Sequence, residues 1–192
     1  MRQAQVERTT AETRVRVLLR LDGEGRHRVR TQVPFLDHML AQWAHHGGFD
    51  LEAEASGDVA VDPHHTVEDV GIVLGDAFSQ ALGDGQGIAR FSSLHAVMDD
   101  ALVLCAVDVS GRPYLHWDVR WPTPVIGSFA TELVEEFFRA FVVRSRVSLH
   151  VVAVHGRNSH HLAEAAFKGC GVVLGRAVRV ERVGHPSTKG VL

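Results

Sequence analysis

Cysteine is scarce in this chain of 192 residues: there are two, Cys105 and Cys170, and neither stands in a Cys-x-x-Cys pair. That excludes a disulfide-stapled scaffold and points to a reducing, cytoplasmic setting. Long hydrophobic runs are also lacking. No apolar stretch approaches the roughly 18 residues that cross a bilayer, which excludes a membrane-spanning protein. The opening MRQAQVERTTAET is polar and has no apolar core of the kind a secretory signal carries, so export is not expected. Nor is there an excess of positive charge. The formal net charge is −3, so no global basic field invites nucleic acid. With 45% hydrophobic and 22% charged residues the balance is that of an ordinary globular chain, long enough for one large domain or two small fused units.

Histidine is what the chain has in excess. There are 13, about three times the number expected for this length. The best-patterned ones fall in two short blocks, Asp62-Pro63-His64-His65-Thr66-Val67-Glu68 and Asn158-Ser159-His160-His161-Leu162-Ala163-Glu164. Both read [D/N]-x-H-H-x-x-E, and they stand 96 residues apart, half the chain length. Downstream, Val70-Gly71-Ile72-Val73-Leu74-Gly75-Asp76-Ala77 matches Cys170-Gly171-Val172-Val173-Leu174-Gly175-Arg176-Ala177 at an offset of 100. The four additional residues predict about one extra turn in the second helix. Helical segments at 36–46 and 131–144 precede the two blocks. The chain therefore reads as a duplicated unit, with repeats at about 8–88 and 89–182 sharing one core, followed by a tail at 183–192.

Alternation predicts a strand from Thr13 to Leu21, with a hairpin partner over 26–33 after the turn Asp22-Gly23-Glu24-Gly25. A helix follows over 36–46, stopped by Gly47-Gly48, then a third strand from Phe49 and a helix from Pro63 to about Leu82. The second half repeats the order, with strands near 89–97, 101–109, 113–119 and 147–154, a helix near 129–144 and another from 159. The implied class is α+β, with helices packed on one face of each sheet.

Asp62 and Asn158 are good N-caps, and Pro63 suits the first helical position. The paired histidines then lie in the first turn, where the helix dipole disfavours imidazolium and keeps the rings able to ligate. His64 shares a face with Glu68, and His160 with Glu164, whereas His65 and His161 are turned about 100° away. This favours two metal ions, each drawing ligands from both helices. His38 is a further candidate, 26 residues before His64, and its repeat counterpart is Glu136, 24 before His160. A site of nitrogen and oxygen donors suits Mn, Fe, Co, Ni or Zn. Pro186-Ser187-Thr188-Lys189-Gly190 offers hydroxyls, a cation and backbone N–H groups in a row, as a phosphate clip would. The glycine-rich Gly83-Asp84-Gly85-Gln86-Gly87 precedes Arg90, and Ser110-Gly111 precedes Arg112. On these residues alone, a dinuclear metallohydrolase and a metal-nucleated structural assembly are also open.

Taken together the sequence resembles the imidazoleglycerol-phosphate dehydratases of histidine biosynthesis over about Arg8 to Leu192. The resemblance rests on Arg8-Thr9-Thr10-Ala11-Glu12-Thr13, Leu21-Asp22-Gly23, Phe35-Leu36-Asp37-His38-Met39-Leu40 and the two histidine blocks. Asp108-Val109-Ser110-Gly111-Arg112-Pro113 and the closing Pro186-Ser187-Thr188-Lys189-Gly190-Val191-Leu192 complete it. It implies a duplicated βαβ-type fold of the ribosomal-protein-S5-domain-2-like class. It also implies a homo-oligomer, a 24-mer built from trimers, with active sites between subunits and two Mn²⁺ per site. The metal ligands would be His38, His64, His65, Glu68, His160, His161 and Glu164, with Glu136 standing where some members have histidine. Glu12, Gln42 and His46 would face the substrate. Arg90, Arg112, Ser187 and Lys189 would bind its phosphate, with Lys168 nearby. The reaction implied is loss of water from D-erythro-imidazoleglycerol phosphate through a dimetal-stabilised imidazolate, giving imidazoleacetol phosphate. Glu12 and Glu164 would move the proton. Two further departures from the family are the glycine-rich last helix, Phe167-Lys168-Gly169-Cys170-Gly171, and a short stretch before Pro186.

Overall fold

The computed structural model describes residues 2–181 and 183–184. In β2 (Thr13–Arg20), Thr13, Val15, Val17 and Leu19 are buried, and Arg14 and Arg16 point to solvent. In β4 (Asp50–Gly57), Leu51, Ala53 and Ala55 are buried between Glu52, Glu54 and Ser56. This period of two gives each strand one apolar face. With β1 (Gln3–Thr9) and β3 (His27–Arg30) they form a sheet in the order β1-β2-β4-β3. The second half builds the same topology from β5 (Phe91–Met98), β6 (Ala101–Asp108), β7 (Tyr114–Asp118) and β10 (Ser148–His155), in the order β5-β6-β10-β7. A small hairpin, β8 (Val125–Ile126) with β9 (Phe129–Ala130), is added ahead of the third helix.

Four helices lie between the sheets: α1 (Pro34–Gly47), α2 (His64–Leu82), α3 (Glu132–Ser145) and α4 (Ser159–Ala177). α1 begins on a proline and ends where Gly48 turns left-handed at φ 72°, as a C-terminal glycine permits. α2 packs on α3 and α4 on α1, so the core runs sheet, helices, helices, sheet. It is dominated by Trp43, Phe49, Phe78 and a run on α3 and α4 of Phe137, Phe138, Phe141 and Phe167.

The sheets' outer faces differ. The first is charged, with Arg16 on Glu7 at 3.2 Å and Arg28 on Glu52 at 2.8 Å. The second exposes Phe91, Val97 and Tyr114 beside His95, His116 and His150.

Three local expectations are corrected. β3 does not form a hairpin with β2: β4 inserts between them, antiparallel to β2 and parallel to β3. The true hairpin partner of β2 is β1, in the segment read only as a polar beginning. The extra turn is also absent, since α2 and α4 both have 19 residues. The packing shows why. A side chain on Gly75 would meet the Phe141 carbonyl at 2.6 Å, and one on Gly171 would collide with the Trp43 carbonyl. Phe141 and Trp43 are each the tenth residue of their helices. Gly75 therefore corresponds to Gly171, at the offset of 96 that the histidines also keep. The match at 100 reflects glycines spaced by four within each helix. The glycines of α4 thus serve close helix packing, which outweighs their poor helix propensity.

Candidate metal centre

Along the α1/α4 seam, each helix presents a ladder of polar residues at four-residue spacing. From α1 come His38, Gln42 and His46, and from α4 come His160, Glu164 and Lys168. Side chains four apart share one helix face, so the seam gathers all six. α4 begins where the Asn158 side chain accepts hydrogen bonds from the backbone N–H groups of His160 at 2.9 Å and His161 at 3.4 Å. Ser159 does not cap; its hydroxyl hydrogen-bonds with Thr123. In α2 the Asp62 carboxylate accepts from the His64 N–H at 2.9 Å, though helical geometry begins one residue later than expected.

At the centre lies Glu164, 6% exposed. His160 Nε2 is 3.1 Å from Glu164 Oε2, and His38 Nε2 is 3.8 Å from the same oxygen. These three ligating atoms all lie within 4.8 Å of one another. Lys168 Nζ donates to the other carboxylate oxygen at 2.6 Å. Burial pushes the Glu164 carboxyl up, but the Lys168 hydrogen bond and charge, with His160 and His38, hold it below the usual range. Glu164 is therefore an ionised, pre-positioned carboxylate. Two imidazole nitrogens and one carboxylate oxygen, without sulfur, fit a divalent first-row cation. At the top of the same seam His46 is pushed below the usual histidine range, first by burial and then by the charge of Lys168.

Beside this cluster opens a cleft of about 600 Å³, walled by His38, His160, Phe35, Phe129, Val59 and Ile126 among others. The Phe35 ring packs on Phe129 at 5.0 Å and edge-on to His160 at 5.4 Å. The sequence reading missed this aromatic wall, because Phe129 arrives on the short β8–β9 hairpin, too brief for a periodic signal.

The second histidine of each block lies apart from the cluster. His65 Nδ1 is 3.0 Å from Asp58 Oδ2 and 3.6 Å from Glu12 Oε2, which makes a second group of possible ligands. The Asp58 hydrogen bond pushes His65 above the usual histidine range, opposite to the helix-dipole expectation. His161 Nδ1 is 2.6 Å from Asp100 Oδ1. Asp58 and Asp100 were not singled out in the sequence. Their partners are distant in it or fall across a loop, and an Asp beside a turn carries no signal of its own.

His64, Glu68 and Glu136 are not drawn into one group of ligands among the described residues. Glu136 lies 3.7 Å from Arg139, and Glu68 has no hydrogen bond or ion pair among the described residues. Glu136 is nevertheless the fifth residue of α3, as His38 is of α1. Among the described residues α2 and α4 contribute to no common ligand group, so the expected sharing of ligands between them is not seen within the chain.

Arg90 and Arg112 converge on one carboxylate. Arg90 Nε is 2.7 Å from Asp108 Oδ1, and an Arg112 guanidinium nitrogen is 3.6 Å from Asp108 Oδ2. The chain after α4 returns past this point: the Arg90 N–H donates to the Ala177 carbonyl at 2.7 Å, and the Gly87 N–H to that of Gly184 at 2.8 Å. Ser187 and Lys189 lie outside the described residues.

Residues 31–174 match the imidazoleglycerol-phosphate dehydratase family. An imidazoleglycerol-phosphate dehydratase of Desulforudis audaxviator is 55% identical over all of this chain and 98% of its own length. One of Caldanaerobacter subterraneus is 52% identical over the whole of both. The crystal structure of the enzyme from Pyrococcus furiosus superposes with a TM-score of 0.85 at 38% identity, covering 97% of this chain and 100% of that one. That from Staphylococcus aureus gives 0.84 at 36% identity, covering 93% and 99%. Identity at this level along the whole length, on the same fold, leaves one conclusion: the chain belongs to the imidazoleglycerol-phosphate dehydratase family.

Proposed function

We propose that this protein is a hydro-lyase of L-histidine biosynthesis that removes water from D-erythro-imidazoleglycerol phosphate, giving imidazoleacetol phosphate. The observation that carries the reading is the cluster of His38, His160 and an ionised Glu164 beside an aromatic-walled cleft, in a chain of this family.

The residues divide the work by chemistry. Arg90 and Arg112 would hold the phosphate, where planar guanidinium groups suit paired phosphate oxygens, and Ser187 and Lys189 would complete that site. His38, His160 and Glu164, with His64, His65, Glu68, His161 and Glu136, would hold two Mn²⁺ per active site. When bound, the ions supply Lewis acidity toward the substrate's imidazole ring. Glu12 would take the proton from the middle side-chain carbon, and that proton balances the departing hydroxide as water. Its carboxylate suits this role because it stands in the β1–β2 connection, half exposed and 3.6 Å from His65. Lys168 would keep Glu164 ionised. His46, kept neutral by burial and by Lys168, would accept a hydrogen bond from a substrate hydroxyl, with Gln42 beside it.

The active sites would lie between subunits of a homo-oligomer, a 24-mer. Two features support this: His65 and His161 lie apart from the α1/α4 cluster, and the second sheet has an apolar, histidine-bearing outer face. A cytoplasmic setting accords with Cys105 and Cys170 as free thiols. No helix among the described residues is long and apolar enough to cross a membrane.

The test is turnover of imidazoleglycerol phosphate by metal-stripped protein, with and without added Mn²⁺. Mn²⁺-dependent formation of imidazoleacetol phosphate is expected. A folded, Mn²⁺-loaded protein that forms no product would overturn the reading.

A further inference from the structure

Each histidine block ends its first pair on a ring held by an aspartate from outside the block. His65 Nδ1 meets Asp58 Oδ2 at 3.0 Å, and His161 Nδ1 meets Asp100 Oδ1 at 2.6 Å. A carboxylate accepts and cannot donate, so each ring, when neutral, carries its proton on Nδ1 and leaves the Nε2 lone pair open. Neither Nε2 has a hydrogen bond among the described residues, the nearest carboxylate being Asp99 at 3.6 Å from that of His161.

The two aspartates are not copies of each other. Asp58 follows β4 directly, and Asp100 stands in the β5–β6 turn, 61 residues before His161. The Asp100 carboxylate is fixed by the backbone N–H of Arg157 at 2.6 Å. At Asp58 it is the backbone that is pinned, its carbonyl accepting from the Val61 N–H at 2.7 Å, while Oδ1 is buried without a hydrogen-bond partner among the described residues and Oδ2 meets His65. The β1–β2 connection, which corresponds to the β5–β6 turn, does supply a carboxylate, Glu12, but at 3.6 Å from His65. The same contact has thus been reached from two unrelated places in the chain. In the first half Asp58 makes the shorter contact with His65, at 3.0 Å, and Glu12 the longer one, at 3.6 Å.

We propose that Asp58 and Asp100 are positioning residues that set the tautomer and aim of His65 and His161, presenting Nε2 of each ring to a divalent metal ion. This rests on the metal-dependent reading above. A carboxylate behind a ligating imidazole orients it and raises its basicity, and loss of such a partner weakens metal binding about 10- to 100-fold. In this assignment Asp58 stands behind His65 and is not itself a ligand, although Glu12, Asp58 and His65 could enclose an ion.

The experiment titrates Mn²⁺ into metal-free protein, following the free-ion EPR signal, for the natural chain, Asp58→Ala, Asp100→Ala and the milder Asp58→Asn and Asp100→Asn. In parallel, ¹⁵N chemical shifts of labelled histidines report the tautomers without metal. The natural protein is expected to show His65 and His161 protonated on Nδ1. The alanine variants should lose that preference and bind Mn²⁺ about 10- to 100-fold more weakly, with the asparagine variants between. Folded variants of both kinds that keep the natural affinity would overturn the assignment, as would Nε2 protonation in the natural protein. If the natural protein bound no Mn²⁺ at all, the metal reading itself would fail, and this shows before any variant is made.

Discussion

The main-chain oxygen of Trp43 occupies the space where a side chain on Gly171 would begin. α1 and α4 touch backbone to backbone there, and the same approach recurs between Phe141 and Gly75 on the other helix pair. Gly171→Ala would gain about 1 kcal/mol of helix propensity. It would lose more, because the Cβ must push apart two helices that also carry His38, His160 and Glu164, and overpacking costs about 1–3 kcal/mol. The variant is expected to have a lower urea midpoint than the natural protein at equal concentration. An unchanged or raised midpoint would show that the helices can separate freely.

Asp50 opens β4 and holds the β2–β3 connection closed. Its Oδ1 accepts from the backbone N–H groups of Glu24 at 2.9 Å and Arg26 at 3.0 Å. Burial alone pushes its carboxyl up, but those two hydrogen bonds and the charges of Arg26 and Arg20 hold it below the usual range. A depressed carboxyl stabilises the fold above its ordinary range, and that stability fades as pH falls through the folded value. Asp50→Asn keeps an acceptor oxygen for both N–H groups and removes only the charge. The natural protein should therefore be the more stable of the two at pH 7, with the difference closing between about pH 5 and pH 2. A difference independent of pH would place the effect in shape instead of charge.

Much of this was legible along the chain, for identifiable reasons. α1 is stopped where Gly47 and Gly48 were expected to stop it, and α4 opens on its Asn158 cap, both signals that act within a few residues. α2 starts one residue later than its Asp62 suggested, with Pro63 at the cap position. Strand pairing is different. Residues 26–33 alternate as a hairpin partner of β2 should, and nothing local says that β4 will come between. That choice is made by Leu51, Ala53 and Ala55 reaching the core while Glu52 and Glu54 pair with Arg28. β1 escaped notice because it is an edge strand, half exposed on one face and exposed on the other. In the site, the spacing of His160 and Glu164 was visible as a helical face. The convergence of Arg90 and Arg112 on Asp108 and the aspartates behind His65 and His161 are tertiary facts.

Arg112 is the more exposed member of the pair at Asp108, with 66% of its side chain open to solvent against 15% for Arg90. Its loss should cost little stability. If it binds the substrate's phosphate, a charge-assisted hydrogen bond is worth about 1.5–3 kcal/mol. Arg112→Met should then raise KM about 10- to 100-fold, with kcat changed far less. The effect should shrink in high salt, which weakens the natural enzyme's own hold on phosphate. A fall in kcat at unchanged KM would move Arg112 from binding to chemistry.

Glu12 and Glu164 are the two carboxylates proposed to move the proton, and their surroundings differ. Glu164 is buried, bonded to Lys168 and His160, and shares a ligand cluster with His38. Glu12 has 55% of its side chain exposed and stands 3.6 Å from a His65 already held by Asp58. Removing the charge of Glu164 should therefore weaken Mn²⁺ binding as well as turnover. Glu12→Gln keeps the size of the side chain but cannot take a proton from carbon, so kcat should fall by about 10²- to 10⁴-fold, the usual range for a lost general base. Its Mn²⁺ affinity and its KM should stay close to the natural values, since it neither anchors His65 nor reaches the arginines. Titration of Mn²⁺ beside steady-state kinetics on the two glutamine variants decides the matter. Should Glu12→Gln lose Mn²⁺ as readily as Glu164→Gln, Glu12 is a ligand, and the base must be sought on the α1/α4 seam, with His46 the next group to test.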